Sequence, residues 1–211
     1  MPLTLGIAGA AGFLKNPSEP ELLGYRVNYI INPSFEVADT YWGSVGGATL
    51  TRTTSEFNTG SACLSVTNVS GSAAQFGPSG ARIPLVAGEG IYYLSAYVKL
   101  ASGNSTSNYF FRVLQYESNT ASGTVSAANV GLQTLSYTGG WVRLSAPVTK
   151  NPLANYIVIR VATSSTISGE IFYIDSVMLE KSNTLGSYFD GGSNGFWTGV
   201  PNDSFSGASP Y

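Results

Sequence analysis

Histidine is absent from all 211 residues. With it go the usual proton shuttle at neutral pH, the commonest metal ligand and every Ser-His-Asp or Cys-His arrangement. The single cysteine, Cys63, sits in the alternating run Ala62-Cys63-Leu64-Ser65-Val66-Thr67 and reads as a half-buried strand residue. It has no second thiol to pair with, so no internal disulfide forms. Twelve acidic residues remain. A glycosidase needs two of them flanking a scissile bond, roughly 5 to 9.5 Å apart. No two here stand in a recognisable catalytic motif, and the chain is expected not to be an enzyme.

The remaining chemistry is that of binding. Sugar rings present apolar C–H faces and hydroxyl edges, which flat aromatic side chains beside hydrogen-bonding groups can match. Tyr93, Tyr97 and Trp141 are expected to point outward from their strands, with Arg112 or Gln115 as polar partners. The same aromatics suit a protein interface or simple cover for a sheet, and the residues alone leave all three uses open. Asp190-Gly191-Gly192-Ser193-Asn194-Gly195 is oxygen-rich, yet it lacks the alternating ligands and closing Glu of an EF-hand and reads as a Gly-rich turn. Gly6, Gly9 and Gly12 do not make a phosphate loop, since no strand precedes them and no Lys-Ser/Thr follows.

These side chains need strands to hold them. In Ile91–Leu100, Tyr92, Leu94, Ala96, Val98 and Leu100 fall on one face and Tyr93, Ser95, Tyr97 and Lys99 on the other, so one face goes to a core. In Trp141–Val148, Val142, Leu144, Ala146 and Val148 face inward while Trp141, Arg143 and Ser145 face outward. Further strands are predicted near 47–53, 62–68, 81–86, 108–117, 155–163 and 169–180. Helical periodicity is missing, and eight or nine strands suit an all-β, two-sheet jelly-roll β-sandwich. The stretch 118–137 is too long for a hairpin turn and too polar for a buried strand, so an elaborated surface loop is expected there.

The ends differ in kind. Residues 1–23 read as an extended arm, broken by glycines and by Asn16-Pro17-Ser18-Glu19-Pro20. Residues 24–186 carry the sandwich pattern. Residues 187–211 are turn-rich but aromatic, which a disordered tail would not be. Both ends are expected to dock on neighbouring subunits and to be ordered only there.

Charged residues make up 10% of the chain, well under the ~25% of ordinary soluble domains, and the net charge is -2. No basic run marks a nucleic-acid partner. No segment reaches the ~18 apolar residues of a membrane span, and Leu3–Leu14 lacks the charged flank of a secretory signal.

Three segments stand in a telling order: Asn32-Pro33-Ser34-Phe35-Glu36, then Gly140-Trp141-Val142-Arg143-Leu144, then Phe172-Tyr173-Ile174-Asp175-Ser176-Val177-Met178-Leu179-Glu180. Over about 28–190 the chain resembles jelly-roll, galactose-binding-like carbohydrate-binding modules. Leu185-Gly186-Ser187-Tyr188-Phe189-Asp190-Gly191 and Trp197-Thr198-Gly199-Val200-Pro201 are similar to the ends of minor tail proteins of tailed bacteriophages, which often carry such a module. The resemblance implies a non-catalytic structural component of a phage tail. Its partners would be other tail subunits, a second copy of itself and host cell-surface carbohydrate, and its place the virion. The alternative is an extracellular carbohydrate-binding module of a secreted glycan-degrading system. The resemblance also implies a structural calcium with Glu36 and Asp175 as ligands, helped by carbonyls of the Gly60-Ser61 turn. Ser176 stands where many relatives carry a second Asp. Read from the residues alone, Glu36 instead caps a turn and Asp175 satisfies a neighbouring amide.

Overall fold

The alternation along the chain closes into two antiparallel sheets packed face to face. In the computed structural model, which describes residues 25–69, 73–79, 82–104, 106–120 and 123–209, every regular element is a strand. The arm, residues 1–23, lies outside the described residues. One sheet has five strands in the order β10 (Val142–Thr149), β7 (Ile91–Leu100), β12 (Ile171–Lys181), β4 (Cys63–Asn68) and β3 (Ala48–Thr53). The other has six. Its path runs β2 (Trp42–Gly46), β5 (Gln75–Pro78), β11 (Tyr156–Thr163), β8 (Ser107–Tyr116) and β9 (Thr124–Leu135), with β6 (Ile83–Pro84) also paired to β11. The all-β sandwich expected from the alternation is the fold observed.

Period-2 patterning places one face of each strand between the sheets. Tyr92, Leu94, Ala96, Val98 and Leu100 of β7 are buried as predicted, and Leu144, Ala146 and Val148 of β10 join them. From the opposite sheet come Tyr109, Phe111 and Val113 of β8 and Ile157, Ile159 and Val161 of β11. An aromatic column crosses the core: Phe35 meets Trp42 at 5.0 Å between ring centroids, Trp42 meets Phe76 at 6.4 Å, Phe76 meets Phe172 at 5.8 Å, and Phe172 meets Tyr109 at 5.0 Å. Edge-on and tilted pairs of this kind add about 0.5–1.5 kcal/mol each beyond their burial.

Two expectations are corrected. Much of 118–137 is not a loop: Thr124–Leu135 forms the edge strand β9, paired along β8 with Arg112 opposite Asn129 and Leu114 opposite Ala127. An edge strand leaves many side chains in water, so its polar composition hides its regularity. Its inner residues Val125 and Val130 pack on the core.

The second correction concerns the C-terminal segment, whose described part folds onto its own chain. Phe196–Trp197 (β13) and Ser206–Ala208 (β14) form a small third sheet with Arg26–Asn28 (β1), in the order β1-β14-β13. Beneath it Met178, Tyr188, Phe189 and Ala208 make a second apolar cluster. The reason is local. A bulge after Asp175 ends the pairing of β12 with β4 at Ile174, and the segment following β1 takes up the freed edge, Tyr29 N–H donating to Leu179 O at 2.9 Å and Val177 N–H to Pro33 O at 2.9 Å.

Candidate functional site

The outer face of the five-stranded sheet carries Tyr93 and Tyr97 of β7 and Arg143 of β10, and Trp141 directly precedes β10. All four are half-buried. Tyr97 lies opposite Arg143, whose guanidinium stands 5.6 Å from the Tyr97 ring centroid and donates to Ser95 Oγ at 3.0 Å. Burial lowers the Arg143 pKa from its usual value. Tyr93 lies opposite Glu180, which Arg26 grips through two bonds of 2.7 and 2.8 Å. Between the two tyrosines the strand is closed over, since Ser95 and its partner Met178 are fully buried. The structure therefore brings Tyr93, Tyr97 and Trp141 to one side of the sandwich but gives them no continuous open platform.

Arg112 and Gln115 are not there. Both belong to β8 in the opposite sheet, and they point to opposite sides of it. Gln115 is 5% exposed and faces the other sheet, its Nε2 donating to Thr149 O at 3.0 Å and its Oε1 accepting from Asn151 N–H at 2.8 Å. It fastens the turn after β10 and is spent on the fold. Arg112 faces outward.

That outward face is the one sequence reasoning missed. On β8, Phe110, Arg112, Leu114 and Tyr116 alternate outward, all half-buried. On β11, Arg160, Val158 and Tyr156 lie directly opposite Arg112, Leu114 and Tyr116. The Arg82 guanidinium stacks over the Tyr116 ring, 3.4 Å from its centroid, and donates to Ser118 O. A cavity of about 220 Å³ lies between Val45, Pro78, Arg82, Ile83 and the β11 segment 157–160. Across β6, a second of about 490 Å³ lies between Pro84, Glu117, Asn119, Asn155 and Tyr156. The sequence did signal alternation in both strands. Only the register sets tyrosine against tyrosine and arginine against arginine.

Glu36 and Asp175 converge on one loop, 58–61. Asp175 is fully buried; its Oδ2 accepts from the N–H groups of Asn58 and Thr59 at 2.7 and 2.9 Å, and its Oδ1 from Ser176 N–H at 2.6 Å. Glu36 accepts from Ser61 N–H and from Ser61 Oγ, the latter at 2.7 Å. Gly60 has φ +68, and a Cβ there would stand 2.0 Å from Glu36 Oε1, so glycine lets the loop close on the carboxylate. Burial pushes the Asp175 pKa up to about 7; the three N–H donors pull it down and Glu36 adds to the rise. Among the described residues no group of three Asp, Glu, Cys or His gathers for a metal. As arranged, the oxygens of both carboxylates accept from N–H and O–H donors, which favours their ionised form.

The Gly-rich turn at Asp190 is as expected, whereas Cys63 is fully buried rather than half-buried. Asp190 is buried and accepts from Ser34 Oγ, Tyr188 OH and Gly192 N–H, holding the Gly-rich turn. Cys63 is buried in β4, and burial raises its thiol to about 12, far from a reactive thiolate.

No family model matches the sequence, and no curated protein matches it. Solved structures do resemble it. The N-terminal carbohydrate-binding and catalytic modules of Clostridium thermocellum endo-1,4-beta-D-xylanase 10B, complexed with xylohexaose, superpose with a TM-score of 0.58 at 22% identity, over 78% of this chain and 30% of that one. The likeness is one of fold. The C-terminal family 22 carbohydrate-binding module of the same enzyme gives a TM-score of 0.57 at 19% identity, over 80% of this chain and 100% of the module. The enzymatically active domain of tailspike protein 4 of bacteriophage CBA120 gives 0.54 at 16% identity, over 74% of this chain and 21% of that one. The sandwich is thus that of carbohydrate-binding modules, and a phage tailspike contains a comparable fold.

Proposed function

We propose that the chain is a non-catalytic glycan-binding module whose binding surface is the outer face of the six-stranded sheet. The observation that carries this reading is the cross-strand pairing of Tyr116 with Tyr156 and of Arg112 with Arg160, half-buried and flanked by two cavities. Aromatic rings offer flat surfaces for the C–H faces of a sugar, and guanidinium groups offer directed donors for its hydroxyl edges. The fold shared with a xylanase fragment of carbohydrate-binding and GH10 modules complexed with xylohexaose supports it.

The Tyr93, Tyr97 and Trp141 face is the competing surface. A glycan array run with the parent chain and with Tyr116→Ala, Tyr156→Ala and Trp141→Ala separates the two. Loss of signal in the first two variants with retention in Trp141→Ala is expected; the reverse pattern moves the site to the five-stranded sheet.

The module's setting is proposed as a phage tail, where it would contact host-surface carbohydrate as a virion component among other tail subunits or copies of itself. The sequence likeness of 185–191 and 197–201 to minor tail proteins and the tailspike fold support that setting. A secreted glycan-degrading system is the alternative. Labelling purified particles with an antibody to the chain tests the placement, and unlabelled tails would reject it. A structural calcium near Glu36 and Asp175 also stays a proposal. It requires a cation to displace the hydrogen bonds those carboxylates now accept, and its test is given below.

A further inference from the structure

Charge is distributed unevenly between the two sheets. None of the six strands β2, β5, β6, β8, β9 and β11 contains an Asp or a Glu, whereas β8 and β11 each contain an arginine. Those two, Arg112 and Arg160, are direct cross-strand partners on the outer face. Among the described residues the ion pairs are Arg26–Glu180 and Lys99–Glu56, both elsewhere. Arg112 donates to the neutral Asn129 Oδ1 at 3.1 Å, and the buried Nε of Arg160 has no hydrogen-bond partner. Arg82 completes the group from beside Tyr116, and it shares the smaller cavity with Arg160. Glu117 lies beyond the end of β8 and forms no ion pair with them.

Like charges set directly opposite each other destabilise a sheet, and an unpartnered buried donor costs more still. Among the described residues no carboxylate forms an ion pair with either arginine. A carboxylate seated over the pair would offset both, because the planar guanidinium fork matches a carboxylate in two parallel bonds. Tyr116 and Tyr156 lie four residues farther along the same face, about 13 Å away. A sugar ring can stack on Tyr156, beside the Tyr116 ring that Arg82 covers, while an acidic group on another ring of the same chain reaches the arginines.

We infer that the glycan this face takes is an acidic one, a polymer carrying uronic-acid carboxylates. The inference rests on the glycan-binding reading above and names its ligand class. A net charge of -2 and a patch of three arginines fall short of the footprint that nucleic acid needs.

The test compares polygalacturonate with neutral xylan by titration calorimetry and affinity electrophoresis. It uses the parent chain and the variants Arg112→Met and Arg160→Met, with melting curves to establish folding. Polygalacturonate is expected to bind at least about tenfold more tightly than xylan at low salt and to weaken as salt is raised. Arg160→Met is expected to lose about tenfold in polygalacturonate affinity and clearly less in xylan affinity, because a hydroxyl loses one donor whereas a carboxylate loses its counter-charge as well. Because it relieves the repulsion between opposed cations, it should melt no lower than the parent. Xylan bound as tightly as polygalacturonate, or arginine variants that bind polygalacturonate normally, overturns the acidic preference while the glycan-binding reading stands. Binding of neither polymer by the folded chain sinks both. Single-stranded DNA that displaces polygalacturonate equally well would make the face a general polyanion surface and reject the inference.

Discussion

Asp175 is the side chain on which burial and hydrogen bonding compete most openly. Its carboxyl is held at about 7 by burial, against an ordinary value of 3.8. Between those two values the folded state holds the proton more often than the unfolded chain, so the contribution to stability is full below the lower value and is lost as pH rises through the upper one. In chelator, the melting temperature should therefore be higher near about pH 4.5 than near about pH 7.5, and Asp175→Asn should flatten that difference. A bound calcium needs the ionised carboxylate and reverses the sign: stability then rises with pH, and calcium raises the melting point over chelator at neutral pH. A flat response to calcium removes the ion. Asp175→Ala leaves three N–H groups without their acceptor and is expected to cost roughly 3 kcal/mol or more, read as a shift in denaturation midpoint at constant slope.

At the scale of elements, the outer face depends on how closely β5 lies against β11. A Cβ at Gly77 would come within 2.3 Å of Ile159 O and 3.1 Å of Arg160 Cα. That contact is with backbone, which cannot swing aside. Gly77→Ala should push β5 away from β11, at a cost of about 1–3 kcal/mol, and should loosen the cavity between Pro78 and Arg160. Denaturation and glycan titration on the same preparation check both. Stability and binding should fall together, in contrast to Arg160→Met, where binding falls alone. An alanine variant that keeps the parent's midpoint would show that the two strands have room to spare.

For the molecule as a whole, the described C-terminal segment completes the domain. Met178, Tyr188, Phe189 and Ala208 bury one another, Asn28 Nδ2 donates to Val177 O and Phe189 O, and Arg26 lies over the Phe189 ring at 4.6 Å. Burying a large apolar side chain contributes about 1.5–3 kcal/mol. Ending the chain after Lys181 should therefore lower the melting temperature and expose an apolar surface that binds a hydrophobic dye. Limited proteolysis of the isolated protein should spare the segment from Tyr188 to Ala208. Cleavage there as fast as in a denatured control would show that it needs a partner to be ordered.

The sequence by itself determined the fold class, most of the strands and which face of β7 and β10 is buried, because a period of two is a local property that survives without neighbours. It also located both carboxylates that clamp the 58–61 loop. It misplaced β9, since an edge strand with many side chains in water has the composition of a loop. Nor could it place the binding face. Arg112 and Arg160 are 48 positions apart in the sequence, and Tyr116 and Tyr156 are 40 apart. What sets each against its partner is the register between β8 and β11, fixed by inward-facing residues such as Val113 and Ile159 that pair in the same ladder. Register is a contest among all the core residues of two sheets at once. Tertiary structure alone settled it, and with it which polar groups share a surface.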